Sequence, residues 1–351
     1  MYRYLHLFIL LGLTLVCQQV KSQFSIELVD SSQGQTSFRG LSVVTDKVVW
    51  VSGSKGTVGL SKDAGKSWKW MQIPGFEKSD FRDIEAFDKN TAIIMASGTP
   101  AVILKTTNGG ENWKVVFRDN RPEMFLDAMD FWDKKRGMLV GDPINGRFVL
   151  LETTNGGDSW RMLDSTLCPE AHDSEAVFAA SGTSLRWLDK YSAVFVTGGS
   201  ISRIVIYNVL SKTSVSGSQE MTTGQPSQGA FSFAHQSGKI IIVGGDYIND
   251  TARERSFHYI DLFSFDRFAT TPSGYRSGVE FINNKKRQKR LTVITVGTRG
   301  VDLCYHQSCH TSDCWICTQI STTGFHVVRK AKKGKAVFLA GSKGRIAKLN
   351  Y

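Results

Sequence analysis

The stretch Ser61-Lys62-Asp63-Ala64-Gly65-Lys66-Ser67-Trp68 returns as Thr106-Thr107-Asn108-Gly109-Gly110-Glu111-Asn112-Trp113 and again as Thr153-Thr154-Asn155-Gly156-Gly157-Asp158-Ser159-Trp160. Each copy reads Ser/Thr-x-Asp/Asn-x-Gly-x-x-Trp. In this spacing the hydroxyl of Ser61, Thr106 or Thr153 and the side chain of Asp63, Asn108 or Asn155 can accept from nearby backbone amides. Gly65, Gly110 and Gly157 supply the positive φ that a tight turn needs. Trp68, Trp113 and Trp160 then anchor each turn by packing their rings. The tryptophans stand 45 and 47 residues apart, the period of a four-stranded propeller blade rather than of a helical repeat.

The strands around the octets keep the same rhythm. Val48 to Val51 and Thr57 to Leu60 precede the first octet; Thr91 to Met95 and Ala101 to Lys105 the second; Gly137 to Val140 and Phe148 to Glu152 the third. Beyond Trp160 the octet decays while the strand pattern persists. Tyr191 to Thr197 with Arg203 to Asn208 reads as a fourth blade, and Lys239 to Val243 opens a fifth whose outer hairpin falls near Tyr259 to Phe268. Leu291 to Val296 belongs to a sixth, and Ala336 to Ala340 with Arg345 to Leu349 to a seventh. Residues 23–351 then give seven blades of ~47 residues each. The expected architecture is an all-β, seven-bladed β-propeller of four-stranded antiparallel blades in a single domain. Phe24 to Val29 is expected to complete the last blade, so that strands from both termini close the ring and leave no exposed edge.

The octets resemble the Asp-box, or bacterial neuraminidase repeat, of sialidases and other β-propellers. Phe38-Arg39-Gly40-Leu41, the run Gly141-Asp142-Pro143-Ile144-Asn145-Gly146-Arg147-Phe148 and the closing Leu339-Ala340-Gly341-Ser342-Lys343-Gly344 are similar to seven-bladed propellers related to the photosystem II stability and assembly factor, a family with many exported bacterial relatives. The resemblance covers roughly residues 24–351. Its octets are structural turns, so they speak for the fold and are nearly silent about function.

Residues 1–22 stand apart. Arg3, the apolar run Leu5 to Val16 and the polar exit Val20-Lys21-Ser22 read as a secretory signal peptide cleaved after Ser22, since the run is short for a membrane span. The mature protein is expected to be secreted or to reside in the periplasm or cell envelope, as a monomer with no membrane span. The chain carries a net charge of +11; removal of Arg3 and Lys21 leaves +9. That balance suits an acidic partner or simply solubility. The basic run Lys285 to Arg290 reads as a solvated hairpin tip, and no nucleic-acid partner is expected.

Cys304, Cys309, Cys314 and Cys317 fall close together with His306 and His310 interleaved. Thiolates and imidazoles at such spacing can hold zinc, whereas an exported chain lies where thiols oxidise. One or two disulfides are the favoured reading, with connectivity open and Cys168 left unpaired. The stretch Ser308 to Trp315 sits where the sixth blade should carry its octet.

No cofactor is expected. Gly59 to Ser67 nearly spells a phosphate loop, but Leu60 occupies the position of its first glycine. No His-Glu-x-x-His or Gly-x-Ser-x-Gly is present. A sialidase-like glycosidase, or a glycan-binding propeller, would need three guanidinium groups clamping a carboxylate, with a tyrosine nucleophile, a glutamate and an acid. Arg39, Arg82 and Arg276 do recur early in blades one, two and six, each after an aromatic: Phe38, Phe81 and Tyr275.

The same arginines fit a second class of function. In the photosystem assembly family a basic rim of the propeller is implicated in holding a partner polypeptide. The resemblance therefore implies a non-enzymatic binding or assembly scaffold, in which Arg39, Arg82, Arg186 and Arg276 line a rim that grips an acidic segment or C-terminal carboxylate of another exported or envelope protein. Convergent arginines with a tyrosine and a glutamate behind them would favour the hydrolase; scattered ones, the protein partner.

Overall fold

The structure, a computed structural model, describes residues 24–261, 267–268, 270–282, 291–309 and 312–351. The expected signal peptide and the basic run 285–290 lie outside the described residues. The described residues form seven sheets set around an axis, each built on an antiparallel meander, with one short 3-10 turn, Ser165–Leu167, as their helical content. The first blade is the four-strand meander Phe38–Val43, Val49–Gly53, Thr57–Ser61, Lys69–Gln72, and the second is Asp80–Ala86, Ala92–Ser97, Ala101–Thr106, Lys114–Asp119. The third and fourth begin at Leu126–Phe131 and Leu185–Asp189. The fifth, sixth and seventh begin at Gln228–Gln236, Gly278–Phe281 and Val327–Lys330. Each of these inner strands packs against the next, and Val327–Lys330 packs against Phe38–Val43, so the ring is closed.

Closure is by strand exchange between the termini. Ser25–Asp30 forms the outer strand of the seventh blade, paired antiparallel to Ile346–Asn350 from Ser25↔Asn350 to Asp30↔Ile346. The edge that either terminus would otherwise expose is thereby covered.

The apolar side chains sit between blades rather than within a single centre. One cluster joins blades one and two through Trp50, Leu60, Phe81 and Ile94, and another joins three and four through Phe148, Leu150, Trp187 and Phe195. Equivalent clusters fill the remaining seams. Strands buried on both faces explain why Ala92–Ser97 reads Ala-Ile-Ile-Met-Ala-Ser with no polar alternation.

The octets make the joints between blades. Ser61 Oγ accepts the Gly65 N–H at 2.8 Å and Asp63 Oδ1 accepts the Ser67 N–H at 2.9 Å. Thr106 and Asn108 bond Gly110 and Asn112 in the same way, as do Thr153 and Asn155 with Gly157 and Ser159. Gly65, Gly110 and Gly157 hold φ of +86°, +77° and +78°. A Cβ on Gly110 would meet Met71 Sδ of blade one, and one on Gly157 would meet Ile93 of blade two. Trp68, Trp113 and Trp160 each pack in the seam with the preceding blade.

Two features differ from the sequence reading. Phe257–Asp261 does pair with Lys239–Asp246, but Arg267–Phe268 runs parallel to Ser312–Ser321 of the sixth blade instead of closing an outer hairpin in the fifth. In the sixth blade the octet is replaced by a long hairpin, Gly300–Cys309 against Ser312–Ser321, in which Cys304 faces Cys317 and the two form a disulfide. That pair is thereby withdrawn from any zinc site. Cys314 is also disulfide-bonded, and Cys168 is a buried free thiol. The side chain of Cys309 and all of His310 lie outside the described residues.

Candidate functional site at the channel mouth

The inner strands begin at one mouth of the central channel and end at the other. At the start of blades one, two, three and five the pairing register slips by a β-bulge, between Phe38 and Gly40, Phe81 and Asp83, Leu126 and Ala128, and Ala230 and Ser232. A bulge leaves one residue outside the ladder and re-aims its side chain. The residues so released are Arg39, Arg82, Asp127 and Phe231, and all four line one cavity of about 510 Å³ at this mouth. Asp142, Tyr275 and His326 line it too, with an aromatic wall in which Phe178 stacks on Phe231 at 3.8 Å and Tyr275 meets Phe231 edge-on at 4.8 Å.

The two arginines differ in how they are held. Arg82 Nε donates to Asp80 Oδ2 at 2.8 Å, and its guanidinium lies 5.8 Å from the Phe125 ring centre. Arg39 is half-buried and makes a single long contact, Nη1 to the Ala180 carbonyl at 3.4 Å, with no carboxylate partner among the described residues. Burial, then the charge of Arg82, lowers its pKa from the ordinary value. It therefore presents unspent N–H donors in a partly dehydrated recess, where an added carboxylate could take a bidentate grip. Burial and the charges of Arg39, Arg345 and Arg82 press His326 down to about 3, so its imidazole stays neutral there.

The sequence-derived set of arginines is not brought together. Arg276 has 0% exposure; its Nε and Nη2 both donate to Asp302 Oδ2, the former at 2.7 Å, and it does not line the mouth. The ladder of blade six begins only at Gly278; the Arg276 N–H bonds the Gly244 carbonyl of blade five as the Phe38 N–H bonds that of Gly341, so Arg276 takes the buried place of Phe38 while Tyr275 lines the mouth. Arg186 lines the other mouth with Glu85, Asp130, Glu280 and Arg329, and its Nε donates to the Phe233 carbonyl at 2.8 Å. Glu170 and Glu175 do not line the arginine-bearing mouth either: Glu175 is clasped by Arg203 and Thr197, and Glu170 by Arg147. A three-arginine clamp of the sialidase kind is thus not assembled among the residues lining the mouth.

Asp127, Asp142, Tyr275 and His326 are mouth residues that the sequence reading missed. For Asp127 a signal existed: Leu126-Asp127 stands in the third blade where Phe38-Arg39 and Phe81-Arg82 stand in the first and second. Among the described residues no group of three or more His, Cys, Asp or Glu is placed to hold a metal, and no helix is long and apolar enough to cross a membrane.

Solved structures similar to this chain include YCF48 bound to a D1 peptide (14% identity, TM-score 0.57), covering 93% of this chain and 95% of that one. The likeness is one of fold. YCF48 from Cyanidioschyzon merolae aligns at 13% identity and TM-score 0.58 over 92% and 98% of the two chains. The WD40 domain of Neurospora crassa Pan2 does so at 14% and 0.56 over 91% and 90%. No protein-family model matches the chain, and no curated protein does. Propellers that serve different ends are thus about equally similar to it, and an argument about function has to rest on the mouth itself.

Proposed function

We propose that the protein is a non-enzymatic binding propeller of the assembly-factor kind, exported by its N-terminal segment, and that it holds a partner polypeptide by a free carboxylate at the Arg39/Arg82 mouth. The observation that carries this reading is the unpaired state of Arg39 beside Arg82 in an aromatic-walled recess. A partly buried arginine with idle donors is costly to keep unless a ligand uses them. The aromatic wall of Phe178, Phe231 and Tyr275 offers apolar surface to the residues that precede a chain end. The structural likeness to YCF48 bound to a D1 peptide is consistent with a polypeptide ligand.

The test is a library of synthetic hexapeptides displayed with free or amidated C-termini, exposed to the mature protein and to an Arg39→Ala/Arg82→Ala variant. Binding that requires the free carboxylate and is lost in a variant of unchanged thermal stability supports the reading. Equal retention of amidated peptides, or no retention at all, overturns it.

A further inference from the structure

The third bulge residue gives the mouth a second polarity. Asp127 has 0% exposure, lines the same cavity as Arg39 and Arg82, and among the described residues neither of its carboxylate oxygens makes a well-formed hydrogen bond, the backbone amides of Ala179 and Asp142 acting on it least. A buried carboxyl without partners is expensive, and a protein normally satisfies one with donors or a cation. Arg82 acts on it by charge but makes no hydrogen bond to it, its Nε donating to Asp80 instead. Asp142, on the neighbouring strand of the same blade, also lines the cavity and accepts only the Val177 N–H, at 3.1 Å through Oδ1. Desolvation and the charge of Asp142 push Asp127 well above the usual carboxylate range, with Arg82 and the backbone amides of Ala179 and Asp142 opposing. Burial pushes Asp142 up to about 6.

The mouth is therefore divided. Blades one and two present guanidinium groups and blade three presents carboxyls, in consecutive positions around one rim. A cation on the ligand would meet two acceptors in a recess of low dielectric and draw both toward the ionised form, whereas a second negative charge near the terminal carboxylate would find no counter-charge there and would oppose that ionisation. The acidic segment that the sequence suggested as a partner thus suits one half of the site and offends the other.

We propose that Asp127 and Asp142 form a cation-accepting subsite, so that the mouth takes a polypeptide end bearing a Lys or Arg one or two residues before its free carboxylate. This rests on the carboxylate-binding reading of Arg39 and Arg82 and narrows the ligand class for that same site. The arginines fix the chain end, and the basic side chain crosses the rim to the carboxyls of blade three. Electrostatic complementarity of this kind selects among chain ends by penalising the wrong charge as much as by rewarding the right one.

The hexapeptide library separates the two claims. Among free-carboxyl peptides that bind the parent protein, those with Lys or Arg at the second or third position from the end should be retained at least about tenfold better than the same peptides with Glu there. Asp127→Asn and Asp142→Asn should erase that ratio while leaving the dependence on the free carboxylate intact. If the carboxylate is required but Lys and Glu peptides bind the parent equally, the subsite is disproved and the carboxylate site stands, a result that needs no variant to fold. A Lys preference that survives in both folded variants also overturns the subsite. Binding indifferent to amidation would instead remove the reading beneath it.

Discussion

Arg39 and Arg82 are the same residue of the fold in two adjacent blades: each is the extra residue of a β-bulge at the start of an inner strand, and each points into one mouth of the channel. Their partners set them apart, since Arg82 is held by Asp80 whereas Arg39 is not held by any carboxylate among the described residues. Arg39→Ala should accordingly change stability by no more than about 0.5 kcal/mol while lowering the retention of free-carboxyl peptides at least about tenfold. Urea denaturation and peptide binding on one preparation check both halves. A large loss of stability with unchanged binding would mean that Arg39 serves the fold.

Arg276 is predicted to behave in the opposite way. It is fully buried on Asp302, which also accepts from Ser273 Oγ at 2.9 Å. Removing one member of such a pair leaves an uncompensated buried charge, at about 3–5 kcal/mol. Arg276→Ala should therefore lower the thermal midpoint sharply, and any folded fraction should bind peptides as the parent does. Unaltered stability, read by calorimetry, would contradict the pairing.

Much of the fold was legible because octet turns and inter-blade packing are local devices. Thr106, Asn108, Gly110 and Trp113 do their work within one turn and one seam, and so they repeat visibly. The sites were less legible because channel-facing residues are chosen by register, which a bulge shifts by one. Phe38-Arg39, Phe81-Arg82 and Tyr275-Arg276 look alike in sequence, yet the backbone bonds set Arg276 where Phe38 stands, one residue out of step, so the tyrosine lines the mouth and the arginine is buried. Arg186 lines the far mouth, beside Asp130 and Phe131 at the end of blade three's inner strand. The closure of the seventh blade by Ser25–Asp30 was readable because an orphan strand at each end has one place to go.

The octet turns should contribute as caps do. Thr106 Oγ1 accepts the Gly110 N–H at 3.0 Å and is 1% exposed. Thr106→Ala leaves that amide unsatisfied and should cost about 1–2 kcal/mol, whereas Thr106→Ser should recover most of it. Chemical denaturation of the two variants tests this; equal losses would assign the effect to the lost methyl group instead of the hydroxyl.

Asp83 should leave a signature in the pH dependence of stability. It is buried between the inner strands of blades two and three and accepts the Ile84 and Met129 N–H groups, both at 2.8 Å, yet burial pushes it up to about 8. The folded state therefore favours the protonated form. Its contribution is fully present below the unfolded value near 3.8 and is lost as pH rises through about 8. Asp83→Asn removes this ionisation, so the stability difference between variant and parent should move in the variant's favour as pH rises from 5 to 8, by at most about 1.4 kcal/mol per pH unit. A difference independent of pH, measured by urea denaturation across that range, would contradict it.

The claim that the mouth binds a chain-end carboxylate is tested most directly by watching the guanidinium groups themselves. With arginine side chains labelled with nitrogen-15, N-acetyl-leucine is titrated into the protein beside N-acetyl-leucinamide, which lacks the charge. The account predicts a saturable shift of the Arg39 Nε–H resonance with the acid alone, a smaller one for Arg82, and none for the buried Arg276. An Arg39 resonance that ignores the acid, or answers the acid and the amide alike, would contradict it.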